Sequence, residues 1–321
     1  MTDKPTLLVT RKLTDAVEAR AARDYDARLN ADDHEFSTEE LLEKCQDVDA
    51  VLPCHTEFFT RDVVAQLPTR LKIIANHSVG VDHCDLAALG EKGIVVTNTP
   101  DVLSDATAEI AMLCMLGAAR RAAEGERMMR DGSWDFWSPA FMVGTQTTGK
   151  RFGIVGMGRV GQVTAARARG FGMEIHYSNR SRLAEEKEQG AIFHETVEDL
   201  LPHCDVLSLH CPATPETAGL MNAERFNLLP DGAVFVNTAR GALVDEDAMI
   251  AALKSGKLAA AGLDVYRNEP GGNPEIAKLD NVFLLPHIGS ATGDTRDAMG
   301  FRALDNLDAF FAGKEPQDRV A

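Results

Sequence analysis

Residues 151–161 read RFGIVGMGRVG: an apolar strand pattern runs into three glycines spaced Gly156-x-Gly158-x-x-Gly161, and a helical pattern follows at once. Strand, glycine turn and helix in that order open a βαβ unit, which commits its strands to a parallel sheet covered by helices. The first glycine permits the tight turn, the second lets a ligand approach the backbone, and the third lets helix and strand pack closely. The N-terminus of the following helix favours negative charge. Gly156, Gly158, Arg159, Val160 and Gly161 are therefore candidates for holding a dinucleotide pyrophosphate. A glycine-rich turn without a ligand is the alternative, and the flanking strand and helix weigh against it.

The rest of the chain repeats the alternation. Short apolar runs at Thr6–Thr10, Asp49–Pro53, Leu71–Asn76 and Ile94–Thr99 read as strands, with a charged helix expected from about Thr14 to Leu29. After Pro100, SDATAEIAMLCMLGAARRAAEGERMMRDG predicts one long helix, capped by Ser104 or Asp105 and stopped at Gly132. Its first half is apolar nearly all round, which predicts burial between two domains. A second strand series follows: RFGIVG, MEIHYS, AIFH, DVLSLH, AVFVNTA, AAAGLDVY and NVFLLPH, then a helix from about Thr292 to Ala312. The expected architecture is α/β, with two Rossmann-like doubly wound domains. Residues 101–290 would be inserted into a flavodoxin-like domain made of residues 1–100 and 291–321.

Of the 321 residues 45% are hydrophobic and 26% charged, so the chain can bury real cores. Its net charge of -16 argues against nucleic-acid or anionic-membrane partners, which need a basic footprint. An anionic ligand would then need a local positive spot, so an arginine in a cleft carries more information than usual. Cys45, Cys54, Cys84, Cys114, Cys204 and Cys211 form no CxxC or zinc spacing. They read as small buried hydrophobes in a reducing compartment, and no metal site is expected. The N-terminal MTDKPTLLVTRK lacks an apolar leader region and no stretch is long enough to span a bilayer, so a cytoplasmic protein is expected.

About 20 residues past the glycines, an NAD site carries Asp or Glu for the ribose 2′-hydroxyl. Here the strand end reads HYSNRSR, offering Ser178, Asn179, Arg180, Ser181 and Arg182. No carboxylate is there to repel a 2′-phosphate, and two guanidiniums can pair with one. NADP(H) is favoured and NAD(H) remains possible, since solvated arginines at a helix start would look the same.

Three later strand ends, AVFVNTARGALVDEDAM, AAAGLDVYRNEP and NVFLLPHIGSAT, present Arg240, Glu269 and His287. Ligands of doubly wound sheets bind beyond the carboxyl ends of strands, so these three could converge. Singly, each has a plainer reading: a helix-cap cation, a solvated loop acid, a core histidine. Together with the glycine turn, the segments closely resemble the D-isomer-specific 2-hydroxyacid dehydrogenase family. The resemblance covers nearly the whole chain, is strongest from about Gly149 to Thr292, and is greatest to the glyoxylate/hydroxypyruvate reductases.

The resemblance implies that Arg240, Glu269 and His287 are the catalytic triad. His287 would protonate the developing alkoxide as hydride reaches C2 of a small anionic 2-oxo acid. Glu269 would stabilise the imidazolium, and Arg240 would grip the substrate carboxylate and polarise the carbonyl. The run NHSVGVDHCD resembles the family's substrate loop, whose backbone N–H groups at Ser78, Val79 and Gly80 would hold a carboxylate. An ordinary strand-to-helix turn is the alternative there. His55, in another loop at a substrate-contacting family position, reads as a surface histidine.

Further implied cofactor contacts are Thr107, Cys211, Pro212, Thr217, Thr238, Ala239, Asp264 and Gly289. A homodimer is implied, with Trp134 and Trp137 either reaching a neighbouring substrate site or only packing the interface. Phosphoglycerate, lactate, 2-ketogluconate and phosphite oxidoreductases share the scaffold and remain alternatives. A formate dehydrogenase is disfavoured because its histidine pairs with glutamine, not glutamate. The chain has no room for a long phosphoglycerate dehydrogenase's regulatory domain. A nucleotide-sensing corepressor of the same fold is the rival from another class, disfavoured by the lack of a long disordered C-terminal tail.

Overall fold

In the computed structural model, which describes residues 4–321, the predicted apolar runs become strands of two all-parallel sheets. The expectation of no N-terminal leader rests partly on Met1–Asp3, which lie outside the described residues. The chain divides into two units, Met1–Leu103 with Ser290–Ala321, and Ser104–Gly289.

The first unit holds β1 (Thr6–Val9), β2 (Asp26–Arg28), β3 (Ala50–Leu52), β4 (Ile73–Ala75) and β5 (Val95–Thr97), in the order β2-β1-β3-β4-β5. That is the flavodoxin-like order, whose switch point lies between β1 and β3. Side chains alternate across the sheet. Leu8, Val51, Ile74 and Val96 enter one core, while Leu7, Val9, Ala50, Leu52 and Ile73 enter the other. The C-terminal helix, Gly293–Phe311, starts at its Thr292 cap and packs Ala303, Leu304 and Leu307 into the second core. The tail beyond it covers the open edge of β5: Val96 N–H donates to Ala321 O at 3.0 Å and Val320 N–H to Val96 O at 2.8 Å.

The second unit holds β6 (Arg151–Val155), β7 (Glu174–Ser178), β8 (Ile192–His194), β9 (Val206–Leu209), β10 (Ala233–Asn237), β11 (Leu258–Leu263) and β12 (Val282–Leu284). Their order, β12-β11-β10-β9-β6-β7-β8, is the Rossmann order with its switch point between β6 and β9. The glycine turn follows β6 and opens the helix Arg159–Gly170, so it sits at that switch point.

Two expectations fail. The charged helix stops at Asp24, and Asp26–Arg28 form edge strand β2. That strand's pattern is almost wholly exposed, so no apolar period announces it; pairing with β1 makes it. The predicted long helix is two helices, Ser104–Ala119 and Ala122–Asp131, separated by Arg121 in the left-handed region at φ 55°. The break is tertiary in origin. Thr145 N–H donates to Ala119 O at 2.7 Å, taking the carbonyl that a continuous helix would use itself. Gly144 is seated against the same oxygen, where a Cβ would come within 2.4 Å. The first helix is buried through Ala108, Ala111, Cys114, Met115 and Ala118, the last four of which belong to the hydrophobic core of its own unit. Gly132 does end the second, at φ 71°.

All six cysteines are free thiols, four of them buried. No helix among the described residues is long and apolar enough to cross a membrane.

Candidate active site and nucleotide site

Each glycine of the turn meets a different physical demand. Gly156 has φ +96°, and a Cβ there would lie 2.5 Å from Cys211 N, so both conformation and space exclude a side chain. Gly161 brings its helix onto the turn so closely that a Cβ would lie 2.4 Å from Gly156 O. At Gly158 a Cβ would meet no atom within 4 Å. It caps the 12-residue helix Arg159–Gly170 without any side-chain hydrogen bond, and its own surroundings are open. An open approach to backbone N–H groups at the positive end of a helix dipole fits a pyrophosphate. Arg159 and Val160 form the first turn of that helix.

The segment after β7 differs from its sequence expectation. Arg180 is exposed, but Arg182 is spent on a bidentate pair with buried Glu188, at 2.8 Å (Nε–Oε1) and 2.9 Å (Nη2–Oε2). Asn179 Nδ2 donates to Ser181 O at 3.3 Å and braces the turn. In the loop after β9, Cys211 is half-buried and burial pushes its thiol up to about 11. Pro212 O there accepts from Thr217 Oγ1 at 2.8 Å.

At the far end of the same carboxyl edge, β10, β11 and β12 deliver the triad candidates. Asn237 ends β10 and holds the next turn from inside: its Nδ2 donates to Arg240 O at 2.9 Å and its Oδ1 accepts from Ala239 N–H at 3.0 Å. The Arg240 guanidinium donates to Ala239 O at 2.7 Å. Glu269 Oε1 accepts from Tyr266 N–H at 2.7 Å, which turns Oε2 toward His287 Nδ1 at 2.5 Å. Because an ionised carboxylate can only accept, Nδ1 is the donor. His287 itself has φ +54°, a conformation that costs a non-glycine residue roughly 1–2 kcal/mol.

Asp264 holds that turn. It is fully buried at the end of β11, and its Oδ1 accepts from Ile288 N–H at 2.8 Å, one residue beyond the histidine. Burial pushes the Asp264 carboxyl up. Its Oδ2 and the hydroxyl of buried Thr238 are buried without a hydrogen-bond partner among the described residues. At Gly289 a Cβ would sit 3.2 Å from Asp264 Oδ2 and 3.5 Å from Thr107. Orphaned acceptor and hydroxyl, beside a glycine that leaves room, are what a carboxamide-bearing ring would satisfy, so this edge fits a nicotinamide.

In the first unit, Ser78, Val79 and Gly80 follow β4. Ser78 Oγ donates to Gly80 O at 2.7 Å and Asn98 Nδ2 to Val79 O at 2.8 Å, fixing the turn. None of their three amide N–H groups has a partner among the described residues. Three N–H groups left over at a strand's carboxyl end are donors of the kind that can hold an anion. His55 is exposed.

The root of that loop gives a pH prediction. His77 is 95% buried, its Nε2 donates to Arg296 O at 3.2 Å, and burial lowers its pKa to about 4 from an ordinary 6.5. Between those values the unfolded chain binds a proton that the folded chain refuses, so stability falls as pH falls. From pH 7 to pH 5 the loss comes to about 2 kcal/mol. His77→Gln should remove this part, shrinking the drop in thermal midpoint between the two pH values. An unchanged drop would show that His77 is not its source.

Residues that sequence reasoning missed include Asn237, Tyr266 and Gly241. A Cβ at Gly241 would lie 1.9 Å from Tyr266 C, so this glycine lets the Arg240 turn and the Glu269 segment lie against each other. The only signal was the glycine directly after the candidate arginine.

Doubly wound parallel sheets with a glycine turn of this kind are the architecture of the dinucleotide-binding proteins. Residues 112–289 match the family model described as D-isomer specific 2-hydroxyacid dehydrogenase, NAD binding domain. The chain is 43% identical to a glycerate dehydrogenase of Hyphomicrobium methylovorum, covering 97% of this chain and 98% of the relative. It is 42% identical to a glyoxylate reductase of Thermococcus onnurineus, covering 99% and 96%. Among solved structures, an NADPH-dependent glyoxylate/hydroxypyruvate reductase of Sinorhizobium meliloti, in complex with NADP and malonate, superposes with a TM-score of 0.88. The identity is 31%, covering 99% of this chain and 97% of that one. The chain belongs to the D-isomer specific 2-hydroxyacid dehydrogenase family.

Proposed function

We propose that this protein reduces a small 2-oxo acid, glyoxylate or hydroxypyruvate, to the D-2-hydroxy acid with NADPH. The observation that carries the reading is the His287–Glu269 pair at 2.5 Å, in the unit that also bears the glycine turn. When bound, the nicotinamide supplies the hydride. With Nδ1 committed to Glu269, Nε2 of His287 is the atom that delivers a proton to the substrate oxygen. The Glu269 carboxylate stabilises the charged ring before transfer, and its bond to Tyr266 N–H keeps it aimed. Arg240 neutralises the substrate carboxylate and draws charge onto the carbonyl oxygen. Within the first unit, taken by itself, the amides of Ser78, Val79 and Gly80 suit a carboxylate.

For the nucleotide, the helix start at Gly158–Val160 takes the pyrophosphate, the exposed turn that carries Arg180 the 2′-phosphate, and Asp264 with Thr107 and Thr238 the nicotinamide end. Cys211, Pro212 and Thr217 flank the adenosine, while Ala239 and Gly289 leave room beside the ring. NAD(H) is the second cofactor of this reading. The relatives support the substrate class, since glycerate oxidation is the reverse of hydroxypyruvate reduction. The protein works as a homodimer in this reading, its surface including Trp134 and Trp137, which are 49% and 72% exposed.

Purified protein offered NADPH or NADH with glyoxylate, hydroxypyruvate, pyruvate or 2-ketogluconate, and followed by nicotinamide absorbance, tests this directly. NADPH oxidation with glyoxylate or hydroxypyruvate is the expected result. Turnover with NADH alone overturns the cofactor preference, and tight nucleotide binding without turnover of any acid overturns the enzymatic reading.

A further inference from the structure

We propose that Glu188 divides the work of the two arginines after β7, holding Arg182 as scaffold and leaving Arg180 as the side chain that recognises a 2′-phosphate. This rests on the NADPH reading above and deepens it, because the residue types alone make the arginines equivalent.

The geometry separates them. Glu188 is 4% exposed, although it sits on a charged four-residue helix, Glu185–Glu188. Its carboxylate takes three hydrogen bonds: Arg182 Nε at 2.8 Å, Arg182 Nη2 at 2.9 Å and Tyr177 Oη at 2.6 Å. Tyr177 is fully buried in β7, and its Oη accepts from Leu183 N–H at 3.0 Å. One carboxylate therefore ties the strand, the turn after it and the short helix into a closed ring of bonds. The Arg182 guanidinium also lies over the Phe193 ring, 5.9 Å from its centroid, and Phe193 packs on Tyr177 at 5.2 Å.

Turning Arg182 toward a phosphate would break a fork of two charge-assisted bonds and strand a buried carboxylate with one phenol. Arg180 pays no such penalty. It is exposed on the turn directly after Ser178. Glu188 is thus a positioning residue: it acts on the nucleotide by withholding one cation and fixing the turn that displays the other.

The test uses the full chain and four variants: Arg180→Ala, Arg182→Ala, Glu188→Gln and the double variant Arg180→Ala with Glu188→Gln. Dissociation constants for adenosine 2′,5′-bisphosphate and for 5′-AMP, with a thermal midpoint for each protein, are the readouts. Arg180→Ala should weaken the bisphosphate by about tenfold or more, with 5′-AMP and the midpoint unchanged. Arg182→Ala should lower the midpoint and weaken both ligands alike. In the double variant the released Arg182 should restore part of the preference for the bisphosphate that Arg180→Ala removed, an effect that a merely structural glutamate would not produce.

Loss of the preference in Arg182→Ala, or no recovery in the double variant, overturns the division of roles. A native protein that binds the two ligands equally overturns the NADPH reading itself. The two failures are therefore distinct.

Discussion

His287→Asn should lower kcat for the 2-oxo acid by roughly 10²–10⁴-fold while leaving nucleotide affinity and thermal midpoint nearly unchanged. Asparagine can still donate to Glu269 Oε2, so the turn keeps its internal bond, but it cannot deliver a proton near neutral pH. The left-handed backbone at this position, φ +54°, suits asparagine better than most residues, which protects the fold from the substitution. Ile288 N–H keeps its 2.8 Å bond to Asp264. Steady-state rates beside a nucleotide titration and a melting curve check all three expectations. A variant that retains more than roughly a tenth of the native kcat would show that proton delivery does not run through this ring.

Gly241→Ala is expected to do damage of another kind, lowering stability and kcat together. The new methyl would lie 1.9 Å from Tyr266 C, 2.0 Å from Tyr266 O and 2.4 Å from Arg267 N, all backbone atoms. None can retreat cheaply. Tyr266 Oη donates to Leu285 O at 2.9 Å, and Arg267 N–H donates to the Glu246 carboxylate at 2.9 Å. Overpacking against fixed backbone costs about 3 kcal/mol, the upper end for inserted methyl groups. In a unit of this size that lowers the thermal midpoint by roughly 6–12 °C. The displacement also carries Tyr266 N–H away from Glu269 Oε1, and with it the carboxylate that orients His287. An unchanged melting curve would mean that the two segments can slide past each other. Read together, the variants separate chemistry from scaffold: the first moves kcat alone, the second moves kcat and midpoint.

Much of this protein is legible along the chain because its signals are local. The runs TLLV, RFGIV and AVFVN are apolar over just the length of a buried parallel strand, and each forms one. The demands on Gly156 and Gly161 are made by neighbours a few residues away or at the next strand end, so their spacing alone announces the turn. The Thr292 cap and the helix beyond it fall where the pattern places them.

Other features were out of reach of any local rule. Edge strand β2 has no apolar period, and only its register with Thr6–Leu8 makes it a strand. The break at Arg121 exists because Thr145, 26 residues from Ala119, takes that residue's carbonyl. Arg180 and Arg182 look alike in sequence, and the buried carboxylate of Glu188 tells them apart. Asp264 was implied only as a cofactor contact, yet it also fixes the backbone beyond His287, 24 residues away from its bond partner Ile288. By itself the sequence determined the parallel α/β architecture, the glycine turn and the three strand ends that bear Arg240, Glu269 and His287. These follow from periodicity and from backbone conformations that few residues allow. Only the tertiary structure decided which partner each polar group takes, because a hydrogen bond of 2.5–3 Å between distant residues is set by how the strands register and pack, and no stretch of chain encodes that alone.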